Sequence, residues 1–191
     1  MLHVTFDDAF RSIGSVVERL REIGVPSTVF ACTDYADRPR PLTVDELAAD
    51  AERHPRELTT MGWDELRALA ADGTEIGAHT RSHPHLRSLS DGELRAEMAE
   101  PRQRIEDELG RPCPLFAYPY GEHDERVRLA ARAAGYEAAF ALGDGNWSDA
   151  FRLRRVGIYS PGTGAAFRLK TSPRAERAIA TALEAGRRLR R

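Results

Sequence analysis

The chain has 191 residues with a formal net charge of −2, enough for one domain with a real core. So even a balance points to neither nucleic acid nor an anionic membrane as partner. The apolar runs are far too short to span a bilayer, which excludes stable membrane insertion. Met1 leads almost at once into an acidic pair, with no basic start and no apolar h-region. The expectation is a cytoplasmic protein as the chain stands, or an extracellular one if an upstream export segment was removed. Cys32 and Cys113 are isolated, without a C-x-x-C spacing, and are expected to be buried thiols.

In chain order, residues 2–6 form an apolar, β-favouring run that ends in Asp7 and Asp8. Apolar residues at Ile13, Val16, Val17, Leu20 and Ile23 predict a helix over 13–23, capped by Ser12 and stopped by Gly24. Residues 27–31 read as a buried strand entered from Pro26, completing a βαβ unit and implying parallel pairing. Residues 35–60 are polar and hold three prolines, predicting a long excursion with one short helix near 44–51. A short amphipathic helix is expected over 63–71 and a strand over 75–78. Ser90 and Glu93 form a capping box for a helix reaching Leu109 and closed by Gly110. A strand over 115–118, a helix from an Asp124 cap to Ala134, and a strand over 138–141 follow. Residues 143–149 predict a loop holding Trp147, 156–159 a last strand, and 172–191 an Ala/Arg-rich C-terminal helix. With no internal repeat and no linker, residues 1–191 are expected to be a single α/β domain.

Side chains alternate along a strand, so Asp7 and Asp8 should point to opposite faces. Both serve one site only where the strand ends and the backbone turns, as at the rim of an α/β barrel. Alone, the pair reads equally well as a turn and a helix cap. His79 and His83, spaced His-x-x-x-His directly after a strand, put two imidazoles on one face of a single turn, within reach of one ion. Pro84 disfavours a long helix there, and Thr80 and Ser82 are expected to hydrogen-bond the loop backbone. One carboxylate and two imidazoles leave coordination positions open, as in catalytic rather than structural metal sites. The second carboxylate is then free to act as a base. The same donors also suit a non-haem Fe(II) oxygenase, although the extra Asp beside the ligand argues against it.

Thr5-Phe6-Asp7-Asp8, Gly77-Ala78-His79-Thr80-Arg81-Ser82-His83 and Phe116-Ala117-Tyr118-Pro119-Tyr120-Gly121 resemble, in order and spacing, three successive motifs of the polysaccharide deacetylase family (NodB homology domain, carbohydrate esterase family 4). The resemblance runs from the N-terminus to about Tyr159. It implies a distorted, incomplete (β/α) barrel and removal of N-acetyl groups from amino sugars with Zn²⁺ or another divalent ion such as Co²⁺ or Ni²⁺. By the same resemblance Asp7 is the catalytic base, and Asp8, His79 and His83 are the metal ligands. The backbone N–H of Tyr120 takes the position of the oxyanion donor, beside a turn shaped by Pro119 and Gly121. Pro119 and Trp147 are the expected substrate contacts.

Three departures from the family pattern stand out. Ala9 follows the acidic pair where many members have Gly, so a positive φ there would be strained. Ala117 occupies the place of an Arg that pairs with the base in many members. No His occurs after His123, so the late His that acts as general acid has no counterpart; His85, an activated water or the protonated base itself remain to protonate the leaving amine. His85 is otherwise expected behind the site or on the surface, and His123 on the surface beside Asp124. The leading expectation is a metal-dependent N-deacetylase. A deacylase of a small non-polymeric amide, or a binding homologue without turnover, are the alternatives.

Overall fold

The structure, a computed structural model, describes residues 2–42, 44, 47–143, 148–158 and 163–172. Six strands run in sequence: β1 (Val4–Phe6), β2 (Ser27–Ala31), β3 (Glu75–Ala78), β4 (Leu115–Ala117), β5 (Ala138–Ala141) and β6 (Leu153–Arg154). Each pairs in parallel with the next, giving the order β1-β2-β3-β4-β5-β6. A doubly wound sheet would reverse direction at a switch point. An unreversed parallel order, with right-handed crossovers, instead curls the sheet toward a barrel. With six strands the result is a half-barrel, the distorted, incomplete (β/α) barrel expected from the sequence.

The helices are α1 (Gly14–Glu22), α2 (Thr33–Asp37), α3 (Ala48–Arg53), α4 (Trp63–Ala71), α5 (Asp91–Leu109), α6 (Glu125–Ala133) and α7 (Gly164–Lys170). Two compact units are distinguished, residues 1–154 with the whole sheet and residues 155–191. No helix among the described residues is long and apolar enough to cross a membrane. Two of the predicted caps are in place: Ser90 Oγ accepts from Glu93 N while Glu93 returns a bond to Ser90 N, and Asp124 accepts from Val127 N. Gly24 and Gly110 close α1 and α5 with positive φ. Leu94, Met98 and Ile105 give α5 its buried apolar stripe, which packs against β3. Cys32 and Cys113 are buried free thiols, and burial pushes the pKa of both upward.

Several elements differ from expectation. Residues 11–13 form a 3₁₀ turn and α1 starts at Gly14, with no side-chain cap from Ser12. The first of those amides, Arg11 N, is taken by the carbonyl of Thr59 at 2.9 Å, and Phe10 bridges to Thr60. The excursion opens with the unanticipated α2, and its short helix lies at 48–53 rather than 44–51. The last strand is at 153–154, not 156–159. Tyr118 Oη donates to the carbonyl of buried Phe151 at 3.0 Å and so draws the next residues alongside β5. Val156 and Ile158 are exposed, and Tyr159 lies outside the described residues. So does the predicted C-terminal helix beyond Ser172, and α7 was not anticipated.

Gly77 decides how closely β3 approaches its neighbours. A Cβ at this position would lie 2.5 Å from the Phe30 ring and 3.0 Å from the carbonyl of Leu115. Phe30, itself 5.5 Å from the Phe140 ring, fills the space that the missing side chain leaves. Gly77→Ala is therefore expected to lower unfolding stability by about 1–3 kcal/mol through overpacking. Gly92→Ala, in the first turn of α5 with no atom near the new methyl, should be neutral or stabilising by up to about 1 kcal/mol. Urea titration of both variants checks the pair.

Candidate metal centre

All three motif segments leave the sheet at the C-terminal ends of strands: Asp7 and Asp8 after β1, His79 after β3, and Tyr118 to Tyr120 after β4. The conflict over the adjacent aspartates is resolved by the backbone. Asp8 adopts φ +66°, a left-handed conformation that breaks strand alternation. Both carboxylates then face the same imidazole, with Asp8 Oδ1 3.6 Å and Asp7 Oδ2 4.0 Å from His79 Nε2. Ala9 follows with φ +51° and is buried, so the strain anticipated for a residue other than Gly is present.

Asp8, His79 and His83 each offer one ligand atom, and the three atoms lie within 4.8 Å of one another. Asp8 Oδ1 is 3.5 Å from His83 Nε2. These separations are too long for good hydrogen bonds. A tetrahedral zinc with bonds of about 2.0–2.2 Å holds its ligand atoms about 3.3–3.6 Å apart, which the two Asp8 distances match. The hydrogen bonding of His79 also suits a metal ligand. His79 Nδ1 lies 2.9 Å from the carbonyl of Ala117, an acceptor that fixes the proton on Nδ1 and leaves the Nε2 lone pair toward Asp8. Burial, reinforced by the neighbouring His79, pushes His83 down to about 3, so it is neutral at ordinary pH. The residues present therefore fit a divalent transition metal. Asp7 lies outside this three-atom cluster, and its side chain is 29% exposed against 14% for Asp8.

Tyr120 closes one side. It takes φ +58° in the turn Pro119–Gly121, and its ring meets His83 edge-on at 4.7 Å and stacks on His85 at 4.1 Å. A Cβ on Gly121, where φ is +69°, would lie 2.5 Å from Leu142, which fixes glycine at the end of this turn. Pro119 is buried. His85 is half exposed, with Nδ1 3.3 Å from Glu122. His123, expected on the surface, instead packs its ring 5.2 Å from that of Tyr118. Trp147 lies outside the described residues.

The His79–His83 loop is held from two directions. Thr80 Oγ1 accepts from His83 N at 2.9 Å, as expected for a loop-bonding residue. Ser82 does otherwise: its hydroxyl donates to Glu97 at 2.7 Å rather than to the loop backbone. Glu97 was missed by sequence reasoning. The available signal was its place among Leu94, Met98, Pro101 and Ile105, on the face of α5 that should be apolar.

The sequence profile described as polysaccharide deacetylase matches residues 1–139. A Bacillus subtilis protein designated a polysaccharide deacetylase, YxkH, is 24% identical over 169 residues, covering 86% of this chain and 53% of its own length. Chitin deacetylase 1 of Cryptococcus neoformans is 41% identical over 70 residues, 37% of this chain and 15% of the relative. The chain thus spans about half the length of the first and a small part of the second. Among solved structures, the Streptococcus pyogenes deacetylase PplD in complex with acetate superposes with a TM-score of 0.68 at 16% identity, covering 88% of this chain and 69% of that one. The family 4 carbohydrate esterase from Streptomyces lividans, also with acetate, gives 0.53 at 24% identity over 72% and 60%. Both share the curled sheet, and with the profile matched across most of its length, this chain belongs to the polysaccharide deacetylase family.

Proposed function

We propose that the protein removes the acetyl group from the nitrogen of an N-acetylated amino sugar, with Asp7 as base and Asp8, His79 and His83 holding a Zn²⁺, Co²⁺ or Ni²⁺ ion. The observation that carries this reading is a second carboxylate, Asp7, standing beside a complete set of three ligand atoms without belonging to it. A divalent ion held there supplies a Lewis acid for the amide carbonyl and lowers the pKa of water. Asp7 takes the proton from the attacking water as its oxygen bonds to the carbonyl carbon. The oxygen of that carbonyl gains negative charge, and the main-chain N–H of Tyr120, presented by the left-handed turn, donates to it. As the C–N bond breaks, Asp7 returns its proton to the departing nitrogen. One carboxylate thus serves both transfers. Acetate and a free amino sugar are released.

The N-acetyl sugar is favoured as substrate by the family and by the relatives named for chitin deacetylation. Acetate release from N-acetylglucosamine oligomers, set against a panel of small acetamides, tests it. Release from the small amides alone would make this a deacylase of non-polymeric substrates, and release from neither would make it a binding protein.

Asp7→Asn is expected to lower kcat by about 10²–10⁴-fold while leaving bound metal at the wild-type level. His79→Ala should lose metal and activity together. If Asp7→Asn strips the metal, the two carboxylate roles are reversed. Chelator treatment should abolish turnover, and added Zn²⁺, Co²⁺ or Ni²⁺ should restore it, followed by acetate release alongside elemental analysis.

A further inference from the structure

Among the described residues Glu97 is the only buried carboxylate, 5% exposed. It reaches to two of the three residues between the histidines, Arg81 and Ser82. One oxygen, Oε2, accepts from Arg81 N at 2.9 Å and from Ser82 N at 3.0 Å. The other, Oε1, accepts from Ser82 Oγ at 2.7 Å and lies 3.6 Å from Arg81 Nη2. On the opposite side the first amides of α2 hold the loop by its carbonyls, Thr33 N to Thr80 O and Asp34 N to Arg81 O. The loop between these supports bends through left-handed conformations at Thr80 (φ +72°) and His83 (φ +64°). A segment so bent relaxes unless its buried amides are satisfied where they stand.

We infer that Glu97 is a positioning residue for the candidate metal centre: by gripping the amides of Arg81 and Ser82 it sets the separation of His79 and His83, and with it the affinity for a divalent cation. This inference rests on the metal-site reading above. A carboxylate suits the task because both of its oxygens accept. Glutamine has the same shape but must turn its NH₂ toward a donor at one of the two positions. Pro101, one turn along α5, has no N–H to give the carbonyl of Glu97. The side chain is therefore anchored on a turn of the helix that lacks one backbone hydrogen bond.

Glu106 provides the comparison. It lies on the same helix and accepts from a loop amide, Cys113 N, at 3.0 Å, but serves no ligand-bearing loop. The experiment is a Co²⁺ titration of the purified full chain, read by the visible absorption of the bound ion and by competition with a chelator. Wild type is expected to bind one equivalent. Glu97→Gln should bind about 10–100-fold more weakly, the usual loss for a partner behind the ligands, with an altered cobalt band. Ser82→Ala, which removes only the hydroxyl arm, should bind less weakly than that and add little when combined with Glu97→Gln. Glu106→Gln should lower thermal stability but leave affinity and spectrum unchanged.

A folded Glu97→Gln protein with wild-type affinity and spectrum overturns the inference and leaves the metal site standing. So does an equal loss of affinity in Glu106→Gln. If Glu97→Gln fails to fold, Ser82→Ala decides: weakened binding supports the role, and unchanged binding refutes it. A wild-type chain that takes up no Co²⁺ overturns both this inference and the metal-site reading.

Discussion

The candidate site depends on the backbone turning left-handed where strands end. Among the described residues, five other than glycine have positive φ: Asp8, Ala9, Thr80, His83 and Tyr120. All five lie in the three segments that meet around His79 and His83. Each such conformation costs on the order of 1–3 kcal/mol, so bonds nearby must hold it. Ala9 O accepts from Met61 N at 2.8 Å, His83 N is tied to Thr80 Oγ1, and Gly121 N bonds back to Tyr118 O across Tyr120. The strain has a geometric use. A regular strand end would send Asp7 and Asp8 to opposite sides of the sheet; the turn at Asp8 brings both carboxylates to one imidazole.

Much of this was legible in the residues because the signals were local. The His-x-x-x-His spacing, the capping box at Ser90 and Glu93, the Asp124 cap and the glycines after α1 and α5 each specify a short-range geometry. Alternating helical and strand periodicity then implied the parallel sheet. What was not legible depends on long-range partners. Ser12 has the right chemistry for a cap, yet Arg11 N is claimed by Thr59, far along the chain. Val156 and Ile158 have strand-like composition, but the bond from Tyr118 to Phe151 sets the pairing register and places β6 earlier. The loop at 80–83 looked self-sufficient from its Thr and Ser, whereas Ser82 turns to a carboxylate fifteen residues on.

The sheet and the site are joined by packing as much as by polar contacts. Phe30 fills the hollow beside Gly77, and Phe140 packs against it. With this hollow filled by aromatic side chains, the candidate ligands gather at the rim where the strands end. The same burial that fills the interior keeps His83 neutral. It also raises the pKa of Cys32, whose thiol donates to the carbonyl of His79, and of Tyr118. The Cys32 thiol and the Tyr118 hydroxyl are thereby held in their uncharged forms by lack of water.

His79 is oriented by the carbonyl of Ala117, a main-chain oxygen. No codon change at position 117 can delete that acceptor, since every amino acid carries it. The side chain there is thus released from the duty of orienting the ring, and a methyl group suffices. What constrains this position is packing, since Ala117 is fully buried, and only a shift of the strand that carries it would untether the ring.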